Sequence, residues 1–436
     1  MEKISNKSKL IDKRYLLPFV LVTSLFALWG FANDITNPMV AAFQTLMELP
    51  ASEAALVQFA FYGGYATMAV PAALFIRRYS YKRGILIGLA LYAIGAFLFI
   101  PAAAQQSFAF FCVSLYILTF GLAFLETTAN PLILSLGSKE TATRRLNLAQ
   151  SFNPVGSLLG MSVASLLVLP ELLSDKRGLN GEVIYNTLPV TEKALIREHD
   201  LAVIRDPYVA LGIVVLIIFI VFLCVIVPNL QGQKNIRINN MDTLKNLWKN
   251  KRYRLGVVAQ MFYVAAQIMV WTFIIQYADN LGINKAMAQN YTICAMLLFL
   301  FGRFATTVLM RYLKSGTLLA LFGGCATLAT LGAIVIEGMT GLYCLVAISF
   351  FMSLMFPTIY GIALENVKRE DMSLGAAFLV MAIVGGALMP PLQGMVIDAG
   401  TIFGMPAVNV SYALPLICFV VVTVYALGCR KAQKKE

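Results

Sequence analysis

The feature that most limits the fold is a series of apolar runs, each long enough to cross a lipid bilayer. Six lie near residues 18–40, 51–76, 84–104, 107–136, 146–169 and 207–228. Six more lie near 254–278, 287–310, 316–337, 342–364, 374–397 and 409–429. A helix rising about 1.5 Å per residue needs roughly 20 apolar residues to span the hydrocarbon layer. Backbone polar groups in that layer must be hydrogen-bonded within the segment, so such runs fold as helices. In a chain of 436 residues, twelve crossings leave room for little else. Charged residues make up 13% of the chain, about half the usual share in a soluble domain. These features exclude a disordered chain, a nucleic-acid-binding domain and an ordinary cytosolic enzyme. The fold class expected is an all-α polytopic membrane protein with twelve transmembrane helices.

The runs fall into two sets of six, predicting a six-helix bundle over 1–228, a polar and basic linker over 229–253, and a second bundle over 254–436. Val155-Gly156-Ser157-Leu158-Leu159 in the fifth run echoes Val384-Gly385-Gly386-Ala387-Leu388 in the eleventh, although small residues are common in any packed membrane helix. If both termini share one side, 27 of the 34 lysines and arginines lie on that side. Basic residues gather in cytoplasmic loops, so both termini are expected in the cytoplasm and the chain in the inner (plasma) membrane. Seven cysteines are scattered without metal or redox spacing, and the single histidine, His199, reads as a solvated loop residue. No metal site and no cofactor are expected, and no signal peptide is evident.

Polar residues inside the runs carry the functional reading, because an ionisable group in hydrocarbon is costly. Asp34 stands in the first run with Gly30, Asn33 and Asn37 on a shared face, followed by Pro38. It either satisfies a neighbouring helix or meets a ligand. Glu126 stands in the fourth run, and Asn147, Gln150 and Asn153 recur every three residues in the fifth. Counted from the turn near 137–143, their depths differ by only a few ångström at about 1.5 Å per residue. A carboxylate facing a row of amides can bind sugar hydroxyls or be neutralised by them. Arg303, about eight residues inside the eighth run, either snorkels to the interface or pairs with a carboxylate in a cavity. Tyr263, Gln267 and Trp271 repeat every four residues in the seventh run, and Glu365 reads as solvated. With no histidine inside a run, a proton relay has to use carboxylates, whose pKa burial raises toward physiological pH. Asp34 and Glu126 are therefore the proton-coupling candidates. The amides, together with rings such as Phe61, Tyr62 and Tyr65, suit a neutral polyol.

Longer motifs carry a family resemblance. They include Leu125-Glu126-Thr127 with Ala129-Asn130-Pro131, and Arg145-Leu146-Asn147-Leu148-Ala149-Gln150-Ser151-Phe152-Asn153. Leu28-Trp29 with Ala32-Asn33, Ala259-Gln260, Ala266-Gln267, Gly302-Arg303-Phe304 and Pro357-Thr358-Ile359 join them. Across nearly the whole chain, except 170–206 and the linker, the sequence resembles the fucose:proton symporter family of the major facilitator superfamily. The resemblance implies the major facilitator fold and inward symport of L-fucose, or a related neutral monosaccharide, with H⁺. It assigns Glu126 to the sugar site and proton coupling, and Gln150, Asn153 and Arg303 to the sugar site. The substrate-binding set expected is thus Asn33, Asn37, Glu126, Asn147, Gln150, Asn153, Tyr263, Gln267, Trp271 and Arg303. Two positions depart from the family pattern. Asp34 takes the place of an asparagine and Asn37 that of the coupling aspartate, one turn apart on one face, so Asp34 is expected to carry the proton. Phe356 replaces an aromatic hydroxyl. The expected partners are the sugar and the lipid bilayer, with no nucleic acid, and the chain is expected to work as a monomer. Glucose or galactose as substrate, Na⁺ as the coupling ion and a non-transporting membrane sensor are the competing readings.

Overall fold

The computed structural model describes residues 10–11, 13–49, 56–176, 184–225, 240–283, 285–397, 399–402 and 404–433. Among the described residues, twelve helices are long and apolar enough to cross a membrane. In chain order they are α1 (Leu16–Thr36), α2 (Phe59–Arg78), α3 (Tyr81–Ala104), α4 (Phe108–Ser135), α5 (Ala142–Glu171) and α6 (Val190–Cys224). The second set comprises α7 (Lys251–Ala278), α8 (Asn290–Leu309), α9 (Ser315–Val335), α10 (Met339–Leu364), α11 (Met372–Ile397) and α12 (Ala407–Arg430). A two-stranded hairpin, Thr401–Ile402 with Met405–Pro406, joins α11 to α12. Within the expected linker lies a further helix, Asn240–Lys249, fixed by Thr243 Oγ1 donating to Asp371 at 2.6 Å.

The chain packs as two compact units. One comprises 24–129 and 152–229; the other comprises 1–23, 130–151 and 230–436. In the first, α3 lies along α6, and α1 meets α5. In the second, α9 lies along α12, and α7 along α11. The pairings correspond, and so do the glycines that make them. A Cβ on Gly156 of α5 would collide with Ala27 O of α1, and one on Gly385 of α11 would collide with Met261 O of α7. Both contacts are backbone against backbone, which only glycine permits. The echo between the fifth and eleventh runs is thus a repeated packing device.

The first helix continues through Pro38 to Leu46; membrane helices tolerate proline where neighbouring groups re-satisfy the backbone. The expected loop over 170–206 holds the first four turns of α6, which begins at Val190. That polar extension is anchored by Asp200, fully buried, which accepts from the amides of Leu173 (3.0 Å) and Ser174 (2.8 Å) and contacts His199 Nδ1 at 3.0 Å. His199 is therefore a helical neighbour of a buried acid, not a loop residue. Glu365 pairs with Arg252.

Replacing Gly156 or Gly385 by valine is expected to lower the melting temperature of detergent-purified protein by several degrees, whereas Gly428→Val, at a position with open space around it, leaves it unchanged. A flat response at all three would contradict the packing account.

Candidate functional site

Breaks in the membrane helices position the polar side chains. α5 is helical over Ala142–Gln150, turns at Ser151 and Phe152, and resumes at Asn153–Val163. α10 is helical over Met339–Met352, turns at Ser353 and Leu354, and resumes at Met355–Leu364. Interrupted backbone at membrane depth frees polar groups and marks ligand sites in transporters.

In the unit that contains α7 to α12, the centre is Arg303. It is 4% exposed and its Nη1 donates to Gln150 Oε1 (3.1 Å) and to Gln150 O (3.2 Å), the carbonyl at the break in α5. Its guanidinium lies 4.8 Å from the centre of the Phe299 ring. Both expectations for Arg303 are replaced: it is too deeply buried to snorkel, and its contacts are an amide and a ring, not a carboxylate. Gln150 Nε2 passes the chain on to Asn130 Oδ1 at 2.9 Å. Asn147 Nδ2 donates to Thr143 O (3.0 Å) and Thr358 Oγ1 (3.2 Å). Among the described residues Arg303 Nε, Asn130 Nδ2 and Asn147 Oδ1 are buried with no hydrogen-bond partner, and a buried unpaired donor or acceptor costs about 1–3 kcal/mol.

α7 anchors this arrangement. Tyr263 OH donates to Met352 O at 3.0 Å, a carbonyl released by the break in α10, and Trp271 Nε1 donates to Ser349 Oγ at 3.2 Å. Both aromatics thus hold α10, one turn apart. Gln267 stands between them, half-buried, and forms no hydrogen bond among the described residues. Gln260, two turns earlier, is fully buried, and neither of its amide atoms has a hydrogen-bond partner among the described residues. It was not among the expected site residues, although a glutamine in an apolar run was the signal that could have found it.

In the other unit, Asp34 is 7% exposed on α1 and Glu126 is 8% exposed on α4. Tyr62 OH of α2 donates to Asn33 Oδ1 at 3.4 Å and lies within electrostatic range of Asp34; Tyr65 lies in range of Glu126. Asn153 Nδ2 donates to Phe26 O of α1 at 3.2 Å. Asn147, Gln150 and Asn153 take different partners: the first two bond to α10, Asn130 and Arg303 of α8 before the break at Ser151–Phe152, and Asn153 bonds to α1 after it. Gly30 is not part of a polar face either, since a Cβ there would collide with Asn153 O. The side chain of Asn37 lies outside the described residues.

Twelve membrane-length helices, breaks within them and buried polar clusters at those breaks define a membrane transporter. The Major Facilitator Superfamily sequence profile matches residues 21–390, and the chain belongs to that family. The L-fucose-proton symporter of Haemophilus influenzae is 62% identical over 427 residues, covering 98% of this chain and all of that protein. The L-fucose-proton symporter of Escherichia coli is 32% identical over 95% of this chain and 93% of its own length. The crystal structure of the transporter FucP in the outward conformation superposes with a TM-score of 0.86 at 32% identity, covering 96% of this chain and 99% of that one.

Hydrogen bonds to a charged group contribute about 1.5–3 kcal/mol. Gln150→Leu is therefore expected to destabilise the folded protein by roughly that amount, and Gln150→Leu with Arg303→Met by less than the sum of the two single changes. Additive melting shifts in detergent would show that the pair is not coupled.

Proposed function

We propose that this protein imports L-fucose, or a closely related neutral monosaccharide, by proton symport. The observation that carries the reading is the pair of buried carboxylates, Asp34 and Glu126, each beside a tyrosine of α2, in a chain 62% identical to an L-fucose-proton symporter. A neutral sugar suits a polar lining of amides, hydroxyls and rings, while H⁺ is the coupling ion that a carboxylate can load and release. Asp34 takes the proton, with Asn37 one turn on. Glu126 senses both proton and sugar. Asn33, Asn147, Gln150, Asn153, Gln267 and Arg303 serve the sugar hydroxyls, and Tyr263 and Trp271 hold the helix against which it binds. Protonation while the cavity faces outward lets the loaded acid pass to the inward-facing state without its charge, the proton is released inside, and each charge moved inward draws about 2.3 kcal/mol per 100 mV from the membrane potential.

In this reading the six-helix halves 1–228 and 254–436 move about the linker 229–253, and the protein works as a monomer in the inner membrane with both termini in the cytoplasm. It performs no chemistry on the sugar and uses no cofactor. Arg144 Nε donates to Thr307 O at 3.1 Å, and a Cβ on Gly361 would lie 2.7 Å from Thr143 Oγ1. With Asn147–Thr358 and Arg303–Gln150, these contacts have to part when the end bearing the termini opens.

In proteoliposomes, Asp34→Asn is expected to abolish uptake driven by a pH gradient while keeping counterflow exchange of labelled L-fucose; Glu126→Gln loses both. Unchanged pH-driven uptake in the double variant would overturn the mechanism. Counterflow of glucose or galactose but not of L-fucose would move the substrate, leaving the coupling reading in place.

A further inference from the structure

An apolar groove of about 670 Å³ lies between α1, α5 and α6, within one compact unit and apart from the residues assigned to sugar or proton. Apart from Glu171 and Asp206, every residue lining it is apolar. Its walls present hydrophobic surface outward: Leu159 is 56% exposed, Leu167 64% and Val214 45%. The floor includes Ala27 and Gly156, the backbone contact that seats α1 on α5.

The two acids mark one end of the groove. From Asp206 to the end of α6 at Cys224 the helix rises about 27 Å at 1.5 Å per residue, close to the thickness of the hydrocarbon layer. Asp206 therefore stands at the membrane surface on the side away from the termini. Glu171, the last residue of α5, reaches the same surface. Arg205 donates through Nε (2.8 Å) and Nη2 (2.6 Å) to Asp206 Oδ1. Pro207, which also lines the groove, has no N–H to give to the Val203 carbonyl one turn before it. The groove's lining thus carries two carboxylates and a carbonyl that lacks its usual donor one turn on, with a guanidinium beside Asp206.

We propose that this groove is a phospholipid site selective for a head group with a primary ammonium: one acyl chain lies along α1, α5 and α6, the ammonium meets Glu171, Asp206 and Val203 O, and the phosphate faces Arg205. The apolar walls confer no selectivity, because an acyl chain is as well solvated by other lipid tails as by leucine and valine. Selection rests on the head group. A primary ammonium has three N–H donors for this set of acceptors, a trimethylated one has none, and a glycerol head group brings no positive charge to the carboxylates.

The test is lipid retention by the full-length protein, measured by native mass spectrometry after titration with phosphatidylethanolamine, phosphatidylcholine or phosphatidylglycerol of identical chains. The expected result is several-fold greater retention of phosphatidylethanolamine than of either other lipid. Glu171→Gln with Asp206→Asn should level the three. Ala210→Phe, which fills the groove, should lower retention of phosphatidylethanolamine. Equal retention of the three lipids by the unaltered protein, or preference for phosphatidylglycerol, would overturn the proposal. So would a preference that survives the acid substitutions, or retention that ignores Ala210→Phe.

Discussion

A carboxylate in a helix surrounded by hydrocarbon has no water to stabilise its charge, so the protein must supply partners or the group must accept a proton. Asp34 and Glu126 are held under this constraint, less than a tenth exposed on α1 and α4. Tyr62 and Tyr65 of α2 lie within electrostatic range of Asp34 and Glu126 respectively. α1 is kept in register by α5, through backbone contact at Gly156 and a hydrogen bond donated by Asn153 Nδ2 to Phe26 O. The packing of one face of the bundle is therefore also what fixes the helix that carries Asp34.

The same constraint explains Arg303 in the other unit. A guanidinium buried at membrane depth has to spread its donors over fixed acceptors, and the break in α5 provides one by freeing the Gln150 carbonyl beside the Gln150 amide. The break in α10 creates a second demand, met by Tyr263 on Met352 O. The atoms without a partner among the described residues, on Arg303, Asn130, Asn147 and Gln260, are those for which the helices alone offer no solution. Such unmet hydrogen-bonding capacity is what hydroxyl groups of a sugar would satisfy.

Much of this was legible in the amino-acid sequence. Apolar length determines the twelve crossings, because the bilayer leaves the backbone no alternative. The two acids stood out because charge is rare at that depth. Two kinds of feature escaped. Helical spacing put Asn147, Gln150 and Asn153 on one face, but the third bonds to α1 beyond a two-residue interruption, and hydropathy does not register so short a break. The polar first turns of α6 looked like a loop because nothing in local composition announces the buried Asp200 that caps Leu173 and Ser174. Arg303 and Gln150 were each singled out, yet their union depends on tertiary packing.

The central claim is that sugar and proton move together through the buried acids. It is tested most directly by following external pH in weakly buffered proteoliposomes when L-fucose is added without an imposed gradient. The account predicts a saturable alkalinisation that requires L-fucose, is abolished by a protonophore and is absent in Asp34→Asn. Saturable L-fucose entry with no movement of protons, or entry that follows Na⁺ instead, would contradict it.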